Sequence, residues 1–169
     1  MASRQNKNKG TLTMSKVVKL QNSYKEMYEF EFSDGETIFI NETFRPSLIE
    51  DMLEEFGSIP QELEKEGIVF DASDKYKIYL LVFLCVKYFT SLGKEIKSEP
   101  TQMIKQFHAL VDSIYLHELM NKGFIQSELE KVFGKVQDVA AVFTALAGFD
   151  QKFVEKLNEA KEKVENVKL

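Results

Sequence analysis

Residues 28–40 read YEFEFSDGETIFI, and their pattern is the clearest structural signal in the chain. Aromatic and acidic residues alternate along 28–32, with the period of two that is typical of a strand with one buried face. Asp34-Gly35 follows, a pair that supplies the positive φ angles of a tight hairpin turn. Residues 37–40 then form the partner strand. The stretch therefore predicts a β-hairpin with one apolar face, which needs a covering element because a hairpin alone is only marginally stable.

The segment before the hairpin is predicted in two parts. Residues 17–20 (VVKL) are a further strand candidate, so the sheet is expected to be a hairpin or a three-stranded meander. Residues 1–15 have almost nothing to bury and are predicted to be a disordered basic extension. Met14 is a plausible alternative start, in which case the first 13 residues are an upstream extension or an expression remnant.

After residue 43 the apolar period changes from two to about 3.6, which indicates helices. A helix led by Pro46 is expected to stop at Gly57, with another short helical turn over 60–66. The next helix is predicted from about Asp74 to Leu92, capped by Asp71 or Ser73 and ended by Gly93. The middle of this helix, 78–86, is apolar on all sides and should be the central buried element. A buried strand is the competing interpretation of 78–86.

The C-terminal half is predicted to hold three more helices. Pro100 opens one that runs to about Asn121. Ser127 and Glu130 have capping-box spacing for a second helix, which ends near Gly148. Asp150 can cap a last, shorter helix.

These elements predict an α+β fold, predominantly α, with a small N-terminal β-hairpin or meander packed on a bundle of four to five helices. A single globular domain should span 16–160, with the sheet in 16–42 and the helices in 43–160. The charged residues 161–169 are expected to fray.

The charge distribution bears on the partners. Residues 1–25 hold six of the 22 basic residues and none of the 27 acidic ones, so the remainder carries 16 basic and 27 acidic residues, a formal charge of −11. An acidic body argues against nucleic acid as the main partner. The longest apolar run has nine residues, whereas a membrane-spanning helix needs about 20. With no signal-peptide pattern at the N-terminus, the expected location is the cytoplasm.

The sequence holds no constellation that predicts catalysis, a metal site or a cofactor. His108 and His117 fall about 180° apart on one predicted helix, so they cannot share a metal ion. Cys85, the single cysteine, lies inside the apolar run and is expected to be a buried structural thiol. Phosphate-binding glycine loops and nucleophile elbows are absent from the sequence. The chain is therefore predicted to be a non-enzymatic protein that binds other proteins.

The hairpin is the predicted contact region. Residues 38–40 are consecutive apolar residues, so the second strand is apolar on both faces, and one of these faces must be covered or bind a partner. The alternatives are cover by a loop or the N-terminal strand, self-association through the strand edge, or docking of a segment of another protein. The predicted partner-binding residues are Tyr28, Phe30, Phe32, Ile38, Phe39 and Ile40.

From residue 16 onward the layout resembles the tail assembly chaperones of long-tailed phages and prophages of Gram-positive bacteria. The likeness lies in VVKL, then YEFEFSDGETIFI, then the proline-led PSLIEDMLEEF, and then a helical remainder. It covers about residues 16–150 and is a likeness of layout. The resemblance implies no catalytic residues. It implies binding of the tape-measure protein, recruitment of tail-tube subunits and action in the host cytoplasm. The alternative is a phage or bacterial regulatory or adaptor module that binds one folded protein.

Overall fold

The computed structural model describes residues 11–71 and 73–147, with side chains as far as Gln137. It confirms the predicted fold class, a small antiparallel hairpin attached to a mainly helical body. The disorder predicted for residues 1–15 is wrong at Met14 and Ser15, which belong to a helix capped by Thr13, and residues 1–10 lie outside the described residues. The helix predicted after Asp150 and the fraying of 161–169 also lie outside them. In chain order the elements are α1 (Met14–Ser23), β1 (Met27–Glu31), β2 (Thr37–Asn41), α2 (Pro46–Lys65), α3 (Asp74–Phe89), a 3-10 turn (Ser91–Lys94), α4 (Pro100–Val111), α5 (Ile114–Glu118), a π-helical turn (Leu119–Gly123) and α6 (Gln126–Ala147).

The hairpin forms as predicted, with β1 and β2 antiparallel and Phe30 opposite Ile38. The Phe32 N–H donates to the Glu36 carbonyl at 2.8 Å and closes the loop. Gly35 has a φ of 91°, which a residue with a side chain rarely adopts. The glycine of the Asp-Gly pair therefore does what the sequence predicts, at the third position of a three-residue loop.

The strand predicted at 17–20 is wrong, because these residues lie in α1. The Thr13 hydroxyl accepts from the Lys16 N–H and caps the helix. Val17 follows Met14 by three residues and Leu20 follows Val17 by three, so the apolar residues share one side of a helix. The two adjacent valines favour a strand by propensity, but propensity is a weak signal beside a cap and a helical spacing.

The helix stop predicted at Gly57 is also wrong, since α2 continues through Gly57 and Pro60 to Lys65. Ile59 and Leu63 lie beyond the predicted stop, and both are fully buried. Burying each side chain contributes about 1.5–3 kcal/mol. Together they offset the helical cost of about 1 kcal/mol for a glycine and about 3 kcal/mol for a proline.

Helix α3 confirms the prediction of a central buried helix and rules out the strand alternative for 78–86. Every residue from Leu80 to Val86 is buried. The helix ends at Phe89, three residues before the predicted end, and the 3-10 turn that follows contains Gly93. Helices α2 and α4 pack against α3, so an all-round apolar surface is what this position requires.

The single helix predicted from Pro100 to Asn121 is instead two helices and a π-helical turn. Helix α4 ends at Val111, and the Ser113 hydroxyl accepts from the Tyr115 N–H at 3.2 Å to cap α5. Serine competes with the helical backbone for hydrogen bonds and so favours such a break. The break redirects α5 towards the hairpin tip.

The capping box predicted at Ser127 and Glu130 does not form the start of α6. The helix begins two residues earlier, at Gln126, and the Glu128 N–H donates to the Ile125 carbonyl at 3.0 Å. Glu130 accepts instead from the Gln126 side-chain amide at 3.1 Å. Burial of the Glu128 side chain fixes the start of the helix, and local sequence spacing does not report that tertiary contact.

Cys85 is buried as predicted, with its sulfur 3.9 Å from the Met52 sulfur. Burial raises the pKa of its thiol, so the reactive thiolate is disfavoured in the folded state. We expect a neutral thiol reagent to leave the folded chain unlabelled at neutral pH and to label it stoichiometrically in urea. Mass spectrometry over time measures this. Complete labelling of the folded protein within seconds would contradict the buried placement.

Candidate protein-interaction surface

The hairpin turns the side chains of its inner face into the helical body. Phe32, Ile38 and Ile40 are buried there, and Tyr28 and Phe30 are half-buried. The Tyr28 hydroxyl donates to the Gly123 carbonyl, which joins the middle of β1 to the end of the π-helical turn. Burial raises the pKa of this hydroxyl. Of the six predicted partner-binding residues, these five lie on the face that packs on the body.

Phe39, the sixth, points the other way and is 48% exposed. Its backbone is nevertheless engaged, since the Phe39 N–H donates to the Ser91 hydroxyl at 3.2 Å. Ile40 makes an isolated antiparallel bridge with Thr90. The free edge of β2 is therefore partly covered by the residues that follow α3, whereas the Phe39 side chain stays open. The partner-binding role of the six residues remains a prediction.

The hairpin tip is hydrogen-bonded to α5. The Ser33 N–H donates to Glu118 at 3.0 Å, and the Ser33 hydroxyl also donates to that carboxylate. The Tyr115 hydroxyl donates to Asp34 at 2.6 Å. This bond lowers the pKa of Asp34 and raises the pKa of Tyr115. The tip contacts and the Ser91 contact fix the orientation of the whole hairpin on the body.

The outer hairpin face consists of the side chains that alternate away from the body, and it combines apolar and acidic residues. Met27 is 40% exposed and lies two residues from Glu29, which pairs with Phe39 across the strands. Glu31 continues the acidic row towards the tip and is exposed. The outer hairpin face comprises Met27, Glu29, Glu31, Thr37, Phe39 and Asn41.

Helix α1 has the opposite character. None of its ten residues is buried. Met14, Val18 and Leu20 are 74%, 53% and 57% exposed. With its lysines and no acidic residue, α1 is an amphipathic basic helix, and within the described part of the chain it has no buried side chain. The sequence pattern predicted a strand or disorder for this segment. The spacing of its apolar residues behind Thr13 was the signal that could have found it.

Polar groups also meet in a groove of about 530 Å³ beside α2 and α3. There the Lys87 ammonium lies 2.5 Å from Glu55, and the Tyr88 hydroxyl donates to the same carboxylate at 2.8 Å. Burial, and then the bond to Glu55, raises the pKa of Tyr88. The three groups satisfy one another, which is the pattern of a structural contact between helices.

The two histidines do not meet in a metal site. The His117 ring lies edge-on to Tyr79, with centroids 5.6 Å apart, and the His108 ring lies 6.3 Å from Tyr76. Within residues 11–71 and 73–147, the structure contains no cluster of three side chains able to hold a metal ion. Both histidines serve as ring partners for tyrosines of α3.

Glu128 of α6 joins the helical body to the link between the hairpin and α2. Its side chain is only 8% exposed. The carboxylate accepts from the buried Phe44 N–H at 2.8 Å and from the Lys131 ammonium at 2.6 Å. The lysine reaches it from the solvent side and neutralises the charge. The carboxylate therefore holds the chain at the base of the hairpin.

We expect Glu128→Ala to lower the free energy of unfolding by about 2 kcal/mol, because the Phe44 N–H would be buried without an acceptor. Urea denaturation followed by far-UV circular dichroism measures the change. Glu130→Ala is the matched control, because Glu130 is a half-buried glutamate of the same helix that accepts from the Gln126 side chain. It accepts from no buried backbone N–H in the described residues, so the substitution should cost no more than about 1 kcal/mol. Equal effects of the two substitutions would contradict the role of Glu128.

The fold and this surface define a mainly helical α+β protein whose hairpin carries apolar side chains on both faces. The chain belongs to the YomO family, a family of phage and prophage type, whose model matches residues 14–169. No curated protein and no solved structure matches the chain. Within the described ranges, none of the helices has the length and apolarity needed to cross a bilayer.

Proposed function

We propose that this phage-type protein is a non-catalytic, protein-binding tail assembly chaperone, which binds the tape-measure protein and recruits tail-tube subunits. One observation carries the proposal: the outer hairpin face presents Phe39 and Met27 to solvent although the inner face already packs on the body. Exposed apolar side chains that are grouped together are typical of a protein-binding surface.

The side chains of this face indicate what kind of client it would bind. Phe39 and Met27 would take up the apolar stripe of a helix, and Glu29 and Glu31 would pair with lysines or arginines along its flanks. A long helical client repeats such stripes. Several copies could therefore bind along it, each with low affinity. Their combined binding would keep the client soluble in the host cytoplasm.

The family and the likeness of layout support the same proposal. The YomO family is of phage and prophage type. The likeness to tail assembly chaperones now rests on the hairpin, the proline-led α2 and the helical remainder, because VVKL belongs to a helix.

The test is co-expression of the full chain with the tape-measure protein of the same phage. The measurements are the soluble fraction of the client and the mass of the complex by size-exclusion chromatography with light scattering. We expect several copies per client and a soluble client. Phe39→Glu should weaken the complex about tenfold or more, since it buries a charge against apolar groups.

Val69→Glu is the control variant, because Val69 is 97% exposed and lies in the loop between α2 and α3, away from the hairpin. It should bind the client as the unmodified chain does. A client that is equally soluble without the protein, or that never co-elutes with it, overturns the proposal. A strict one-to-one complex with a folded partner would instead support the adaptor alternative.

A further inference from the structure

Helix α1 is not buried by any of the residues that the structure describes. It has ten residues, and none of them is buried. Isolated helices shorter than about 12–15 residues are marginal in water, so a helix of this length depends on a contact for its stability. Its apolar side, formed by Met14, Val17, Val18 and Leu20, is the side such a contact would use.

The outer hairpin face is the complementary surface on the same molecule. It offers Phe39 and Met27 as apolar contacts and Glu29 and Glu31 as charges. Helix α1 offers an apolar stripe with Lys16 at its border beside Leu20, and its segment has no acidic residue. In polarity and in sign of charge, the two surfaces are complementary.

Within one copy of the chain, the apolar side of α1 does not cover the outer hairpin face. The Asn41 amide donates to the Tyr24 carbonyl at 3.1 Å, which fixes the C-terminal end of α1 beside the end of β2. From that anchor, no α1 side chain is buried against the described part of the hairpin or the helices. As far as the described residues extend, both surfaces are therefore open to another molecule.

We propose that α1 of one copy docks on the outer hairpin face of a second copy of this chain. Its apolar stripe covers Phe39 and Met27, and Lys16 at the border of the stripe lies against the glutamates. Two such contacts close a reciprocal dimer, whereas one contact per neighbour gives an open chain of copies. This inference goes beyond the proposed function, because it concerns the protein alone and does not depend on the client.

The first measurement is the mass of the full chain by light scattering at rising protein concentration and low salt. We expect it to rise from the chain mass of 19.5 kDa to at least twice that value. Val18→Glu and Phe39→Glu, one on each surface, should each raise the dissociation constant about tenfold or more, because a charge is buried. Val69→Glu should leave it unchanged.

Charge exchange tests the pairing itself. The helix variant K16E and the hairpin variant E29K/E31K each place like charges against one another, so each alone should associate about tenfold more weakly or worse. Mixed in equal amounts, they restore opposite charges in both directions. The mixture should therefore regain the association of the unmodified chain, and circular dichroism of each variant checks that it is folded.

Several results overturn this inference. The unmodified chain could remain a monomer at millimolar concentration, the two charge variants could fail to restore association when mixed, or Val18→Glu could associate normally. A monomer that binds anionic lipid vesicles through α1 would identify α1 as a membrane-surface helix instead. Since none of these experiments contains the client, their failure leaves the result of the client experiment to be judged separately.

Discussion

Replacing Phe44 by alanine is expected to lower the free energy of unfolding by about 3–5 kcal/mol, the range for a buried phenylalanine. The Phe44 side chain is 1% exposed. Its ring stacks on Phe89 of α3, with centroids 3.9 Å apart and planes 5° from parallel, and meets Phe124 edge-on at 5.9 Å. The substitution removes the contact that joins three parts of the chain at the base of the hairpin, and it leaves a cavity.

Urea denaturation followed by far-UV circular dichroism measures this loss, because the chain has no tryptophan to report by fluorescence. Labelling of Cys85 by a thiol reagent gives an independent measure, since the buried thiol reacts only when the structure opens. For a domain with a typical stability of about 5–15 kcal/mol, the substitution should populate open states that label readily.

The matched control is Phe39→Ala, a phenylalanine removed from the outer hairpin face at 48% exposure. It should lower the free energy of unfolding by about 1 kcal/mol or less, because half of its surface is already in water. The two substitutions should separate stability from binding: Phe44→Ala destabilises, whereas Phe39→Ala weakens association. A loss under 1 kcal/mol for Phe44→Ala would contradict the close packing of its ring.

The parts of the fold that were predictable are those whose pattern is local. The alternation before Asp34-Gly35 predicts the hairpin, because strand period and turn chemistry lie within thirteen residues. Helix α3 was equally predictable from the sequence, since an apolar run between a capping residue and a glycine has few other interpretations.

The error in α2 arose where a local signal competes with a tertiary one. Gly57 and Pro60 are helix-breaking residues by propensity, but the burial of Ile59 and Leu63 keeps α2 continuous. That outcome depends on which side chains the body buries, and no window of sequence contains this information. The break at Ser113 differs, because the serine that caps α5 is a local signal that the predicted long helix overlooked.

The candidate surface was predictable only in part. Three consecutive apolar residues at 38–40 correctly indicate a strand with apolar side chains on both faces. The sequence does not show which face packs, because the choice depends on distant groups. Ser91 holds the Phe39 backbone, and Glu118 holds the hairpin tip. These contacts join residues 52 and 85 positions apart in the chain.

Replacing Gly93 by alanine is expected to lower the free energy of unfolding by about 3 kcal/mol, at the upper end of the cost of overpacking. A β-carbon at this position would lie 1.8 Å from the Lys87 carbonyl oxygen and 2.7 Å from its carbon. Because those atoms are backbone, the 3-10 turn would have to move away from the end of α3. That turn carries Ser91, so the substitution should also loosen the hold on β2 at Phe39.

Gly57→Ala is the matched control, because an added β-carbon there meets nothing within 4 Å. Gly57 lies in the interior of α2, where alanine is preferred to glycine by about 0.8–1.0 kcal/mol, so this substitution should stabilise the protein. The same chemical change is thus expected to act in opposite directions at two positions. Hydrogen exchange adds a local measurement, since the Phe39 amide should lose protection in Gly93→Ala and keep it in Gly57→Ala. If both substitutions prove neutral or stabilising, the close approach of the 3-10 turn to α3 is incorrect. The anchoring of β2 by that turn, which leaves the Phe39 side chain facing solvent, would then be incorrect as well.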